Sequence, residues 1–282
     1  MNKHIRSALD TQTVFDTAAV PDAVLREPTS LGNVVISPKK RPAVDLEVLM
    51  PVLNEEKRLP NSLPHLLDYL ANKPWSSAVV IIDNGSVDRT VEVAQSYSTH
   101  TVPVHIVGCS LRGKGAAVYR GISTGSSRFV GFMDADLATP IDTLDTVMPM
   151  LQEGTKAVIG SRYLKDSTVL TKPSIVRRIG SRGYKLFVGS LVTNLKDTQC
   201  GFKFFDAELV RNVIADCEIT GFTFDVELLA AIQHHGYQVE EIPVAWNSRD
   251  GSTFRIIEDG LVAARDLLAL HRKFRSSKTT LQ

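Results

Sequence analysis

Between Asp45 and Arg162 five short apolar runs recur, and each of the first four is followed by a stretch with helical spacing. The runs are LEVLMPVL (46–53), AVVIIDN (78–84), VHIVGC (104–109), FVGFMDA (129–135) and KAVIGSR (156–162). They are apolar almost throughout rather than at every second position, which marks strands covered on both faces. The stretches PNSLPHLLDYLANK (60–73), SVDRTVEVAQSYS (86–98), GKGAAVYRGISTGS (113–126) and PIDTLDTVMPMLQEG (140–154) read as helices, with Ser86 as the cap of the second. This alternation predicts an α/β fold with a parallel, doubly wound sheet.

In such sheets ligands bind beyond the carboxyl ends of the strands. Asn54-Glu55 stand there after the first run, Asp83-Asn84-Gly85-Ser86 after the second, Asp134-Ala135-Asp136 after the fourth and Ser161-Arg162 after the fifth. The two aspartates either cap a turn or hold a cation, and the convergence of polar groups on one edge favours the cation. Carboxylates are hard oxygen ligands suited to Mg²⁺ or Mn²⁺. An ion held there typically bridges phosphate oxygens and neutralises a departing diphosphate. Asp83 either accepts a hydrogen bond from a nucleobase imide or belongs to a capped turn with Gly85 and Ser86. Gly113 and Gly115 allow the backbone close to a ligand, and Lys114 adds a positive charge beside a helix start. The spacing is not that of a P-loop.

The 282 residues carry a net charge of +1, so no overall field argues for a nucleic-acid partner. Cys109, Cys200 and Cys217 have no metal-ligand spacing and read as reduced thiols. No apolar run reaches the roughly 18–20 residues of a membrane-spanning helix. Asp10, Asp16 and Asp22 interrupt any signal pattern, and a cytoplasmic protein is expected. Local charge is another matter: between Lys156 and Lys185 lie eight Lys or Arg and one acid, Asp166. The basic amphipathic segment 172–195 sets Arg177, Arg178, Arg182 and Lys185 against Ile175, Ile179, Leu186, Val188 and Leu191. It reads as a face for a membrane surface or an anionic ligand, or as a solvated helix face.

Residues 1–44 read as a loosely ordered extension, 45–253 as the main domain and 254–282 as an amphipathic helix and tail. Within FTFDVELLAAIQHHG (222–236), a helix, Asp225 and Glu227 are either acids favoured at a helix start or groups that touch a ligand or orient Lys203. His234 and His235 read as surface residues. VEEIPVAWNSRDGST (239–253) reads as strand and loop, with Trp246 in the core or stacked beside the site.

MPVLNEEKRL, IIDNGSVDRT, RGKGAAV, MDADLATP, GSRY, DTQCGFKFF, FDVELL and IPVAW…RDGST stand in the order seen in the family 2 inverting glycosyltransferases. Over about Leu46 to Thr253 the chain most resembles the polyprenyl-phosphate (dolichyl-phosphate) sugar synthases. The resemblance implies a GT-A domain, a Rossmann-like, mostly parallel sheet flanked by helices, with a C-terminal acceptor-binding extension. It implies metal-dependent, inverting transfer of a hexose from a nucleotide-sugar to a polyprenyl monophosphate, with Mg²⁺ or Mn²⁺ as cofactor, at the cytoplasmic face of a membrane. Pro51, Asn54, Glu55, Asp83, Gly85, Lys114, Asp134, Ala135 and Asp136 match the donor pocket, and Asp134 and Asp136 match the metal ligands. Gly201, Phe202 and Lys203 match the sugar and acceptor pocket. Arg162, Arg177, Ser181 and Arg249 match positions that grip the acceptor phosphate. Asp136, Arg162, Lys203 and Asp225 are the expected catalytic groups.

Ala138 stands where many mannose synthases carry glutamine after the metal motif. That points to a UDP-sugar and to the glucosyl or N-acetylhexosaminyl branch over GDP-mannose. Asn84 replaces a frequent second aspartate. The expected partners are the nucleotide-sugar, polyprenyl phosphate and the membrane surface; a membrane-embedded helper subunit and a homo-oligomer are left open. Two other readings are a glycosyltransferase with a soluble acceptor, where Asp225 or Glu227 acts as base, and a non-catalytic lipid- or nucleotide-binding protein.

Overall fold

A computed structural model describes residue 41 and residues 43–169, 188–247 and 258–279. Strand β1 (Leu46–Val52), helix α1 (Leu59–Ala71), β2 (Ser77–Asp83), α2 (Thr90–Gln95), β3 (Val104–Gly108), α3 (Lys114–Ser123), β4 (Phe129–Met133), α4 (Leu144–Gln152) and β5 (Ala157–Ser161) follow the expected alternation. The rest comprises β6 (Thr168–Val169), β7 (Phe202–Asp206), α5 (Ala207–Val213), α6 (Phe224–His234), β8 (Glu240–Pro243), β9 (Ala245–Trp246) and α7 (Glu258–Thr279).

Seven strands form one sheet in the order β3-β2-β1-β4-β7-β5-β8, and β6 pairs with β9 apart from it. Successive side chains leave opposite faces of the sheet. Leu49, Val80, Ile82, Val130, Phe132 and Phe205 join one core with α3, α5, α6 and Leu267 and Leu270 of α7. Val48, Met50, Val79, Ile81, Phe202 and Phe204 join the other with α1, Ala94 of α2 and α4. Both faces are therefore dry, which is why the strand sequences show no alternation. In α1, Leu59, Leu63, Leu66, Leu67 and Leu70 recur at helical spacing, and all are buried.

Within the sheet and its helices two departures from the sequence reading stand out. One is β7, which lies between β4 and β5 and runs antiparallel to both. Its sequence, FKFFD, carries a lysine in the middle of an apolar run, which hides the strand from a hydropathy reading. The other is the second helix, which starts at Thr90 rather than Ser86 and ends at Gln95. Ser86 does not cap it: its Oγ accepts the Asn54 N–H (2.9 Å), while the Asp88 carboxylate accepts the Thr90 N–H (3.0 Å).

At the amino end of β1, Arg41 is buried on Glu47, with Nε 2.5 Å from Oε1. Ser127 Oγ donates to the other carboxylate oxygen (2.9 Å), and the Arg41 Nη groups donate to Thr124 Oγ1 and the Gly121 carbonyl. This anchors chain that lies within the segment read as an extension. The three cysteines are buried and unpaired. Among the described residues no helix is long and apolar enough to cross a membrane.

Candidate active site

Every expected site residue that the structure describes lies at or beside the carboxyl edge of the sheet, so the site can be built strand by strand. After β1, Asn54 takes a left-handed backbone (φ 58), tolerated by asparagine, and its Oδ1 accepts the Val87 N–H (2.9 Å). Glu55 pairs with Arg58 (2.8 Å), and its N–H donates to Thr90 Oγ1 (2.7 Å). Burial raises the Glu55 carboxyl; Arg58 opposes this, and the negative charge of nearby Asp136 adds to it. After β2, the Asp83 carboxylate is 1% exposed and accepts the N–H groups of Gly85 (3.3 Å) and Ser86 (3.1 Å). Asp83 thus shapes the turn at which Gly85 adopts φ +91.

Asn84, noted in the sequence only as a departure, fixes the next loop. Its Oδ1 accepts the Gly113 N–H (2.8 Å) and its Nδ2 donates to the Leu111 carbonyl (2.7 Å). Gly113 has φ +124, and a Cβ there would collide with the Thr220 carbonyl. The glycine thereby seats the start of α3 against the segment before α6. Lys114 follows at the first position of α3, and its Nζ reaches Asp134 Oδ1 (2.6 Å).

Asp134 leaves the end of β4 with its N–H on the Gly201 carbonyl (3.2 Å). Ala135 is buried and offers backbone only. Leu137 then takes φ +51, uncommon for a leucine, in a turn closed by the Leu137 N–H on the Asp134 carbonyl (3.1 Å). The Ala138 N–H donates to Asp136 Oδ1 (3.0 Å). Burial and then the charge of Asp134 push the Asp136 carboxyl above its usual range. Asp134 and Asp136 thus set two carboxylates, one of them raised by the charge of the other, at the carboxyl edge of the sheet. No group of three or more His, Cys, Asp or Glu suited to a metal occurs among the described residues. A pair of carboxylates fits Mg²⁺ or Mn²⁺ completed by water and phosphate oxygens, rather than an ion caged by protein alone.

Insertion of β7 beside β4 brings Lys203 to this edge. Its side chain is fully buried and donates to the Cys200 carbonyl (2.5 Å) and to Asp225 Oδ1 (2.7 Å). Asp225 stands in the first turn of α6. Burial raises its carboxyl and Asp134 adds to the effect, while Lys203 and Lys114 oppose it. Burial alone would lower the Lys114 ammonium, but Asp134 and Asp225 hold it above its usual value. Lys114, Asp134, Lys203 and Asp225 are thus charges of alternating sign in one cluster.

Glu227, two residues on, serves elsewhere. It is 1% exposed and accepts the N–H groups of Glu218 (2.9 Å) and Ile219 (2.6 Å) and the Lys273 ammonium (2.8 Å). The structure therefore separates the two acids that the sequence left equal: Asp225 faces the cluster, and Glu227 ties α6 to α7. His235 pairs with Asp216 near the surface (2.8 Å).

Arg162 follows β5. Its Nε and Nη2 fork onto Asp197 (2.7 and 2.9 Å), and its guanidinium carbon lies 5.3 Å from the Trp246 ring. Trp246 is thus beside the site as well as against the core. Arg177, Ser181, Arg249 and residues 172–187 of the basic segment lie outside the described residues.

Residues 47–214 match the family model described as Glycosyl transferase family 2. The chain belongs to glycosyl transferase family 2. It is 33% identical over 243 residues to the dolichyl-phosphate beta-glucosyltransferase of Dictyostelium discoideum, covering 81% of this chain and 74% of that protein. With the human protein of the same name it shares 31% identity, over 83% of this chain and 76% of the relative. Among solved structures, the glucosyl-3-phosphoglycerate synthase of Mycobacterium tuberculosis superposes with a TM-score of 0.60 at 18% identity, covering 80% of this chain and 79% of the other. Another crystal of that synthase holds Mn²⁺, UDP-glucose and glycerol 3-phosphate. The GT-A fold of this family 2 glycosyltransferase is the one the resemblance implied.

Proposed function

We propose that the chain transfers glucose from UDP-glucose to a polyprenyl monophosphate of the dolichyl type, giving a β-linked polyprenyl-phosphate glucose. The observation that carries this reading is the state of Asp225. A hydroxyl acceptor needs a base to take its proton, and the acid best placed in the cluster is locked on the buried ammonium of Lys203 (2.7 Å). A phosphate monoester is already ionised at neutral pH and needs no such base. The site must supply positioning and charge stabilisation instead. The names of the sequence relatives support the same acceptor and sugar.

In this reading Asp134 and Asp136 hold Mg²⁺ or Mn²⁺, which supplies neutralisation of the diphosphate charge. Lys114, which pairs with Asp134 (2.6 Å), adds a positive charge for the donor diphosphate. Asp225 and Lys203 line the hexose and keep each other's orientation. Asp83, Asn54 and Glu55 shape the nucleotide end. Arg162, with Arg177, Ser181 and Arg249, carries the acceptor phosphate, because the guanidinium fork matches phosphate oxygens. In-line attack by the phosphate oxygen on the anomeric carbon inverts an α-linked donor into a β-linked product. The enzyme works as a peripheral protein on the cytoplasmic membrane face.

The test is transfer of radiolabel into an organic-extractable product with Mn²⁺ or Mg²⁺. Donors are UDP-glucose, UDP-N-acetylhexosamines and GDP-mannose; acceptors are polyprenyl phosphate and 3-phosphoglycerate. Label passing from UDP-glucose to the lipid, and removed by chelation, is expected. Label in phosphoglycerate and none in the lipid would overturn the acceptor, and label only from another donor would overturn the sugar.

A further inference from the structure

The segment between the basic stretch and β7 carries an acid that opens the DTQCGFKFF motif but to which the sequence assigned no role. Asp197 is 2% exposed, and three N–H donors from Arg162 converge on its carboxylate. They are the Arg162 backbone N–H (3.0 Å), Nε (2.7 Å) and Nη2 (2.9 Å). The Gln199 N–H donates to the same group (3.2 Å). Burial alone would raise this carboxyl, but the guanidinium outweighs burial and holds it below the ordinary range. Asp197 is itself fixed from behind. The carboxylate of Glu241 on strand β8 accepts the backbone N–H groups of Lys196 (2.9 Å) and Asp197 (2.8 Å).

We infer that Asp197 is a positioning residue for acceptor use: it sets the guanidinium of Arg162 in register with the metal-binding edge, and Glu241 sets Asp197. A guanidinium has five N–H donors in a rigid fork. Two are spent on Asp197, the sole hydrogen-bond acceptor of this side chain among the described residues, so the remaining edge is left for an anion. The rings of Trp246 (5.3 Å) and Tyr163 (5.7 Å) lie close to the guanidinium carbon. The same segment then reaches the donor side, since the Cys200 carbonyl holds Lys203 and the Gly201 carbonyl holds the Asp134 N–H. One short stretch thus fixes the spacing between the cation for the incoming phosphate and the acids for the departing one. This inference rests on the reading of Arg162 as a contact of the acceptor phosphate.

Steady-state kinetics of the full chain test it, with polyprenyl phosphate and UDP-glucose varied in turn. Asp197→Asn is expected to raise the KM for polyprenyl phosphate about tenfold while the KM for UDP-glucose stays within about twofold. In an Arg162→Ala background the same substitution is expected to add less than about twofold, because it acts through a side chain that is gone. Full additivity, or an equal rise in the UDP-glucose KM, overturns the inference. If Arg162→Ala alone leaves the lipid KM unchanged, the reading of Arg162 fails, a result distinct from additivity. Should Asp197→Asn not fold, Glu241→Gln carries the test, since it leaves the Asp197 side chain intact. A rise of about threefold in the lipid KM is expected, absent when Arg162 is Ala, and no rise overturns the inference.

Discussion

Gly201 has no room for a side chain, because the Asp134 carboxylate fills the space a Cβ would take. Gly201→Ala is therefore expected to displace that carboxylate and to lower kcat/KM for UDP-glucose by about two orders of magnitude with secondary structure intact; circular dichroism beside kinetics checks both halves. Asp136→Asn removes charge without volume and is expected to cost about two to three orders of magnitude in turnover. The Asp197–Arg162 pair has a pH signature. Its folded carboxyl lies below the ordinary 3.8, so its stabilisation is complete above that value and is lost as pH falls through the lowered one. The melting temperatures of the wild type and Asp197→Asn are therefore expected to differ at neutral pH and to converge as the pH falls below the lowered titration of Asp197. The placement of Asp134 and Asp136 at the carboxyl edge was legible in the sequence because they directly follow an apolar strand. The contacts of Asp197 and Asn84 were not, because their partners lie 35 and 29 residues away and no local pattern records such pairings.

At the scale of elements, the parallel core was legible because dry strands are apolar throughout and helices repeat their leucines. β7 was not, since Lys203 breaks its apolar run and the compensating acid belongs to α6. Helix α6 also shows why two acids at one helix start read alike: the dipole favours both, and only tertiary contacts assign them. Their substitutions are expected to diverge. Glu227→Gln should lower stability by about 1–3 kcal/mol in chemical denaturation, since the N–H groups of Glu218 and Ile219 and the Lys273 ammonium lose their shared anion. Activity per folded molecule should survive. Asp225→Asn should lower turnover and the melting temperature together, since it also strands the buried Lys203 ammonium.

Across the whole molecule the sheet separates its tasks by end. The carboxyl edge gathers the charges of the site, and the amino end holds the buried Arg41–Glu47 pair. Arg41→Met is expected to strand a buried carboxylate and to cost about 3–5 kcal/mol in denaturant unfolding, with KM values for both substrates unchanged. In the proposed reaction two like-charged phosphates meet because different cations screen them. A divalent ion on Asp134 and Asp136 serves the donor, and guanidinium groups serve the acceptor. The most direct test is anomalous scattering from crystals soaked with UDP and Mn²⁺. A single strong peak at the Asp134 and Asp136 carboxylates, lost in Asp136→Asn, is the result the account requires. A manganese peak elsewhere, with UDP bound and those carboxylates bare, would contradict it.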